Sequence, residues 1–434
     1  MKRTTAMLKM LPIAAACLAA APALATNGYF AHGYGLKAKG MGGASVAMAQ
    51  DSLGGATNPA GMVWVGNRID IGADIFMPKR DSERSGTAAF PGLDGKVDSD
   101  KTSFLVPEFG YNRTMSSDMS LGISVYGNGG LNTTYPQGPF QCPTGPTTAA
   151  PANILCGAGG VGVDLMQLII APTVAYKIHP QHAIGASLLL GYQRFKATGL
   201  QAFAGTPNFS SDPASVTNNG YDSSTGVGLR LGYQGRLSDA LTIGAAYAPK
   251  MKMGKFDKYR GLFAERGGFD IPSHYSVGAA FMPTPAVTVA VDFERINYSD
   301  AKSVNNPSLP QAQLGAANGP GFGWQDIDVF KLGVAWQMSN TLTLRVGYNK
   351  GENPITPADV TFNILAPGVM KDHYTAGFTW ALDKDSEITG ALMVAPRQSV
   401  TGASLFNGLF PFPVGNEKIG MKQSSIGLAW GRKF

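Results

Sequence analysis

Cysteine, charge and long apolar runs are all scarce in this chain, and each scarcity excludes something. Of the three cysteines, Cys17 falls in an N-terminal segment read below as a leader. That leaves Cys142 and Cys156, both in one long loop. In an oxidising compartment the two are expected to pair; closing a loop of about 15 residues contributes roughly 3 kcal/mol in the chain-entropy model. No histidine or acidic cluster stands near them to complete a metal site. Charged residues make up only 15% of the chain and the formal net charge is +6. Three of the basic residues lie in the leader and the rest are scattered, so no nucleic-acid partner is implied. Beyond residue 25 no apolar run approaches about 18 residues, which excludes membrane-spanning helices. A mean hydropathy of −0.01 is also what strands with one lipid face and one wet face produce. Glycine, in contrast, is abundant at 56 residues, which favours closely packed β-structure over a helical protein.

The N-terminus reads as a secretory signal: Lys2 and Arg3, an apolar run from Leu11 to Ala20, and the small-residue site Ala23-Leu24-Ala25, with cleavage expected after Ala25. Ala14-Ala15-Ala16 before Cys17 is a poor lipoprotein signal.

After Asn67 fourteen β-like segments can be marked, and their connections alternate strictly between long and short. Short turns fall at Ser116-Ser117-Asp118, His179-Pro180-Gln181, Ser238-Asp239, Pro283-Thr284-Pro285, Ser339-Asn340 and Asp383-Lys384-Asp385. An even strand count with turns at one rim and long loops at the other is the pattern of an outer-membrane barrel. Period-two alternation is clear in the second half. Val287, Val289, Val291 and Phe293 alternate with Thr288, Ala290, Asp292 and Glu294; Leu342, Leu344, Val346 and Tyr348 alternate with Thr343, Arg345, Gly347 and Asn349. Phe330 to Trp336 and Tyr374 to Trp380 behave likewise, and Ile426, Leu428, Trp430, Arg432 and Phe434 share the last strand face. In lipid the apolar set must face outward and the small or charged set inward. A soluble β-sandwich would alternate too, but does not account for the leader and the loop rhythm together.

Residues 26–62 do not alternate. They contain Lys37-Ala38-Lys39-Gly40-Met41-Gly42-Gly43-Ala44 and end on Asn58-Pro59-Ala60-Gly61-Met62. No strand precedes the glycines and no P-loop lysine follows them, so phosphate binding is not supported. The length suits a small plug. Here the chain resembles the FadL/TodX family of outer-membrane transporters for long-chain fatty acids and other hydrophobic compounds. The Gly-Met-Gly-Gly-Ala stretch and Asn58, Pro59 and Ala60 resemble the family's N-terminal hatch. Lys255-Phe256-Asp257-Lys258-Tyr259 and Asn363-Ile364-Leu365-Ala366-Pro367-Gly368, followed by His373, are similar to its loop motifs. The resemblance implies an all-β fold: a fourteen-stranded antiparallel transmembrane barrel of residues 63–434, plugged by a hatch of residues 26–62 and preceded by a signal of residues 1–25. It also implies capture of an apolar molecule at the outer loops, transfer to an inner pocket, and sideways exit near a kinked third strand. Gly127, Asn128 and Gly129 suit that kink, since glycine in a strand marks a bulge or close backbone approach; an ordinary glycine-rich start to an extracellular loop would read the same.

Two groups of candidate contacts follow. In the fourth long loop, Phe256, Tyr259, Leu262 and Phe263 stand at helical spacing with Lys255, Lys258, Arg260 and Arg266 around them, so an amphipathic loop helix could capture an acyl chain. The alternative is loop packing, with the cations facing lipopolysaccharide phosphates. Arg230, Lys331 and Arg345 fall on lumen faces and could meet a carboxylate, although Asp292 and Glu294 share those faces and could pair with them instead. The five histidines form no metal pattern, no nucleophile-base constellation can be argued, and no cofactor is implied. The chain reads as a non-enzymatic, monomeric transporter of the Gram-negative outer membrane. Long-chain fatty acids are the expected substrate and aromatic hydrocarbons the second; a general porin or a structural surface barrel is the alternative.

Overall fold

The computed structural model describes residues 27–87, 91–145, 148–204, 209–309, 312–408, 410 and 412–434. The leader, its cleavage point and Cys17 lie outside these residues. Fourteen antiparallel strands close into a barrel. They are β1 (Arg68–Ser85), β2 (Phe104–Thr114), β3 (Met119–Asn132), β4 (Gly162–His179), β5 (His182–Thr198), β6 (Asp222–Arg236) and β7 (Leu241–Ala248). The second half comprises β8 (His274–Thr284), β9 (Val287–Ile296), β10 (Ile327–Gln337), β11 (Leu342–Gly351), β12 (Asp372–Ala381), β13 (Ser386–Ala403) and β14 (Asn416–Lys433). Each strand pairs with its sequence neighbours, and β14 returns to β1 in register from Arg68↔Lys433 to Ser85↔Asn416. The turns at the short rim are those the sequence marked, except that Pro283 and Thr284 belong to β8 and that turn is made by Pro285 and Ala286. Gly95–Asp98 adds an edge piece outside β1, and Phe140–Pro143 pairs with Ala149–Ala152 as a loop hairpin.

The alternation sorts as the physics of a lipid-embedded wall requires. Phe330, Leu332, Val346, Tyr374, Phe378 and Trp380 are exposed on the outer surface, whereas Lys331, Arg345, Thr375 and Thr379 are buried inside.

Inside the barrel lies the segment preceding β1. It makes one helical turn at Leu36–Lys39 and a 3₁₀ turn at Pro59–Trp64, so it runs a little beyond the expected residue 62. Asn58 caps the second turn: its Oδ1 accepts from the Ala60 amide, and its Nδ2 donates to the carbonyls of Val46 (2.7 Å) and Tyr233 on β6 (2.9 Å). Pro59 at the first helical position has no amide left unpaired there. One side chain thus ties the turn to itself, to the segment and to the wall. Backbone contact is close elsewhere. A Cβ built on Gly347 of β11 would stand 2.1 Å from the Gly42 nitrogen, and Gly42 itself has φ +66°, so both positions need glycine.

Charge fixes the remainder. Lys39 pairs with Asp74 (3.2 Å) and Glu108 (3.5 Å), Lys37 with Glu387 (2.5 Å), and Arg68 bridges Glu387 to Asp70. Asp292 of β9 accepts from the Ser45 and Val46 amides, and Thr375 of β12 accepts from the Gly42 amide. These ties reach strands on several sides of the wall.

Candidate functional site: an apolar cleft, an inner pocket and a wall window

At the long-loop end, four loops and the tops of β4 and β5 converge on a narrow apolar cleft. Its walls carry Phe195, Phe203, Leu262, Phe263, Phe322 and Phe362, and among the described residues no charged side chain lines it. Of the four candidates in the fourth loop, Leu262 and Phe263 face the cleft. Phe256 and Tyr259 are buried behind it against Phe195, at 5.6 and 4.8 Å between ring centroids. The expected loop helix is not formed. A 3₁₀ turn at Asp257–Tyr259 ends before Gly261, and a tight turn at Ala264–Gly267 holds Glu265 and Arg266 at positive φ. Glycines at 261, 267 and 268 interrupt the helical spacing that the aromatics suggest. The basic rim is also partly used: Arg260 pairs with Asp212, and Lys258 donates to the Tyr221 carbonyl.

Below the cleft the aromatic packing continues as a chain. Phe195 meets Phe263 at 4.6 Å, Phe263 meets Phe269 at 5.1 Å, and Phe269 meets Tyr29 at 6.0 Å. Tyr29 adjoins Phe30 at 5.3 Å, and Phe30 stands edge-on to His274 at 5.2 Å. Tyr298 secures the top of the N-terminal segment, its hydroxyl accepting from the Tyr29 amide and donating to the Asn27 carbonyl. Burial pushes the phenols of Tyr29 and Tyr298 up, so both stay neutral.

The chain of rings ends at a second, small cavity bordered by Tyr34, Arg230, His274, Asp292, Glu294 and Lys331. The three lumen cations differ sharply here. Lys331 is matched by Glu294 at 2.7 Å. Arg345 does not border the cavity; it donates to Gln50 (3.0 Å) and Thr379 (2.7 Å) beneath the N-terminal segment. Arg230 is 2% exposed and donates to the Ala56 carbonyl and the Tyr126 hydroxyl, with His274 Nε2 at 3.2 Å. No carboxylate among the described residues lies within ion-pair distance of it.

The wall beside this cavity is interrupted. The β2–β3 ladder stops at Phe109↔Val125, although β2 continues up to Phe104 and β3 to Asn132. β3 instead bulges against β4: Gly127 opposes Leu168 and Gly129 opposes Gln167, leaving Asn128 as the extra residue. Above the break, the Asp100 amide donates to the Thr134 carbonyl, which bounds the opening as a window. The N-terminal segment fills it from inside. Phe30 bridges to Gly129, and a Cβ on Gly129 would stand 2.1 Å from the Tyr29 carbonyl oxygen. Tyr34 donates to the Asn128 carbonyl at 3.3 Å.

Sequence reasoning marked the glycines of the bulge and the lumen cations. It missed Tyr29 and Phe30 as the closing pair, Tyr126 and His274 as partners of Arg230, and Phe203 and Phe362 in the cleft. Aromatic residues in the Thr26–Tyr34 stretch were the available signal for the first pair; nothing in one dimension joins Phe203 to Phe362. Asn363, from the late-loop motif, accepts from Trp324 Nε1 at 2.6 Å and donates to the Phe322 carbonyl, so it holds two cleft-forming loops together. Cys142 and Cys156 are joined at the outer edge of the second long loop, Cα–Cα 5.5 Å.

A fourteen-stranded barrel with an N-terminal segment inside it, an apolar cleft at its long-loop end and a break in one wall ladder has the architecture of an outer-membrane channel. The chain belongs to the outer membrane protein transport protein family (OMPP1/FadL/TodX), whose sequence profile matches residues 13–401. The barrel is similar to that of the *Pseudomonas putida* toluene transporter TodX (TM-score 0.67, 19% identity), covering 94% of this chain and 100% of that one. It is similar also to the *Ralstonia pickettii* toluene transporter TbuX (TM-score 0.62, 16% identity; 93% and 99%). A *Pseudomonas aeruginosa* FadL homologue aligns with a TM-score of 0.66 at 13% identity, over 94% and 100%. No curated protein matches the chain by sequence. The family transports rather than catalyses, and its place is the Gram-negative outer membrane.

Proposed function

We propose that the substrate is an apolar molecule with one anionic head, a long-chain fatty acid foremost, delivered passively from the cell exterior into the outer-membrane bilayer. The observation that carries this reading is Arg230: a buried guanidinium bordering a cavity and hydrogen-bonded to neutral groups, while the nearby Glu294 is paired directly with Lys331. A substrate carboxylate would add a direct charge-assisted hydrogen bond to it. The tail enters through the apolar cleft, passes the rings from Phe263 to Phe30, and the head reaches Arg230. Displacement of Tyr29 and Phe30 from Gly129 then frees the window beside Asn128, and the tail gains free energy by moving into lipid. Residues 26–62 act as the hatch of this path, and the Asn58-Pro59-Ala60 turn is its fixed hinge. The barrel works as a monomer, with the exposed Lys255 and Arg266 toward lipopolysaccharide phosphates.

One observation favours a second reading. Among the described residues the outer cleft is lined without charge, which would serve a neutral aromatic hydrocarbon equally well. Uptake of labelled oleate, with toluene in parallel, in a Gram-negative host lacking its own fatty-acid transporter separates the two. The proposal expects oleate uptake, and a half-saturating concentration raised roughly tenfold by Arg230→Ala, the scale of one lost hydrogen bond to a charged group. Toluene uptake alone would establish the hydrocarbon reading, and steady ion conductance in planar bilayers would establish a porin.

A further inference from the structure

The outward surface of β1, β13 and β14 carries a cationic border that the transport path does not use. Ile71 of β1 faces Trp430 of β14 in register, and Ile75 faces Ile426; all four are exposed. Eight residues beyond Ile71, toward the long loops, this apolar stripe has ended at Lys79, which faces Lys422. Eight residues at about 3.4 Å each, on a strand tilted by about 40°, climb roughly 21 Å. The outward apolar band of such a barrel is about 25 Å tall and is flanked by aromatic residues. With Trp430 at the lower interface, the two lysines stand at the upper one, level with the head groups of the outer leaflet.

Like charges directly opposite on one sheet face are destabilising, and elsewhere the upper wall matches its cations with acids. Lys350 faces Asp372, Lys196 faces Asp164, and Arg295 pairs with Asp326 and Asp328. Lys79 and Lys422 are exposed, and no acid among the described residues lies within ion-pair distance of either. The acids just above them are engaged. Arg397, in the bulge of β13, reaches across β14 to Asp81 of β1, Nη2 to Oδ2 at 2.7 Å, and Lys96 stands 3.8 Å from the same carboxylate. Gly420 permits that crossing, because a Cβ there would stand 2.2 Å from Arg397 Nη2. Glu83 faces Lys418 in one ladder and Lys96 in the other. Asp98 on the edge piece and Asp100 beside it are exposed and pair with neither lysine.

We propose that Lys79 and Lys422 together bind a phosphate of lipopolysaccharide, whose acyl chains lie below against Ile75, Ile426, Leu392 and Val394, all exposed. Lipopolysaccharide is the occupant because the pair faces lipid rather than the lumen, and lies at the leaflet on the long-loop side. The phosphate supplies the negative charge that this ladder omits, and both ammonium groups donate to it. The site is separate from Lys255 and Arg266, which belong to the β7–β8 loop, and it stands whichever molecule the barrel transports.

The test titrates the full barrel in detergent, by native mass spectrometry, with three probes: bis-phosphorylated lipid A, the same lipid stripped of its phosphates, and phosphatidylglycerol. The Lys79→Ser, Lys422→Ser double variant should bind lipid A about thirtyfold more weakly, the scale of two cations at an anionic membrane surface. Lys79→Arg, Lys422→Arg should keep the original affinity, and removal of the phosphates should abolish the difference between the unaltered barrel and the serine variant. Equal lipid A affinity in those two proteins overturns the site. Phosphatidylglycerol bound as tightly as lipid A overturns lipopolysaccharide as its occupant. Lys255→Ser, Arg266→Ser should leave the affinity unchanged; a thirtyfold loss there overturns the placement on the wall. Heat-modifiable gel migration confirms that each variant is folded.

Discussion

The N-terminal segment and the extracellular cap are both packed interiors, yet opposite kinds of interaction hold them. Direct anchors of the segment are ionic and backbone-mediated: Lys37 and Lys39 to acids on β1, β2 and β13, and amides of Gly42, Ser45 and Val46 to side chains on β9 and β12. The cap's interior is held by rings from Phe195 through Phe263 to Trp324 and by the wholly buried pair Arg84–Glu417, while loop pairs such as Arg260–Asp212 and Lys302–Glu265 are partly exposed. The difference fits the tasks assigned to them. Aromatic contacts are non-directional and can be re-formed around an alkyl chain. Ion pairs and amide bonds specify one position, which suits the proposed path, in which the segment keeps its register and only Tyr29 and Phe30 are displaced.

The largest break to this contrast comes from deleting residues 27–64. A barrel relieved of its interior should conduct ions at least about tenfold more in planar bilayers, as an unobstructed lumen does; unchanged conductance would mean the segment does not seal it. Next is Glu417→Ala. It strands Arg84 without a charge partner in a dry interior, which costs about 3–5 kcal/mol. Thr361, Ser404 and the Leu405 amide lose their shared network as well. The loops should become protease-sensitive while the strands stay protected. Uniform protection would show that the rings alone suffice. A smaller effect is expected from Leu262→Ser, about a fivefold weaker oleate uptake at limiting concentration from lost apolar burial, with hatch conductance unaltered.

The smallest effect is a matter of pH. Asp51 is buried beside Asp70, and burial first, then that neighbour, pushes its carboxyl up from 3.8 to about 6. In the folded barrel Asp51 therefore holds a proton that the unfolded chain has released between about pH 4 and 6. Stability of the segment should fall as pH rises through that window, by at most about 1.4 kcal/mol per pH unit, and level off above it. Hydrogen exchange across residues 44–57, compared with Asp51→Asn, checks this. The variant should lack the slope, and an identical slope in both proteins would assign it elsewhere.

Much of the wall was legible in the sequence because a membrane barrel repeats one rule. Outward residues must be apolar and inward ones need not be, so Phe330–Lys331–Leu332 declares its faces locally. Turns such as His179-Pro180-Gln181 carry their own signals. The site was less legible because it is assembled from loops far apart in sequence. Phe203 and Phe362 touch across more than a hundred intervening residues, and no spacing encodes that. The loop aromatics at 256–263 misled in one respect: helical spacing was present, but Gly261 and Gly267 break the helix. For the cations, sequence placed Arg230, Lys331 and Arg345 on one kind of face; only three-dimensional pairing shows that Glu294 occupies Lys331 and leaves Arg230 to neutral partners.

The pairing of β1 with β14 has a consequence for biogenesis. Arg68↔Lys433 joins the two ends of the barrel, so the cylinder cannot close until the last strand has been delivered. Contacts of such long sequence separation form slowly, and the edges of β1 and the growing sheet stay open meanwhile. The order of assembly is then constrained: Lys37 finds Glu387, and Ser45 finds Asp292, only after strands synthesised long afterwards have taken their places. The first part of the chain to leave the ribosome is among the last to become structured.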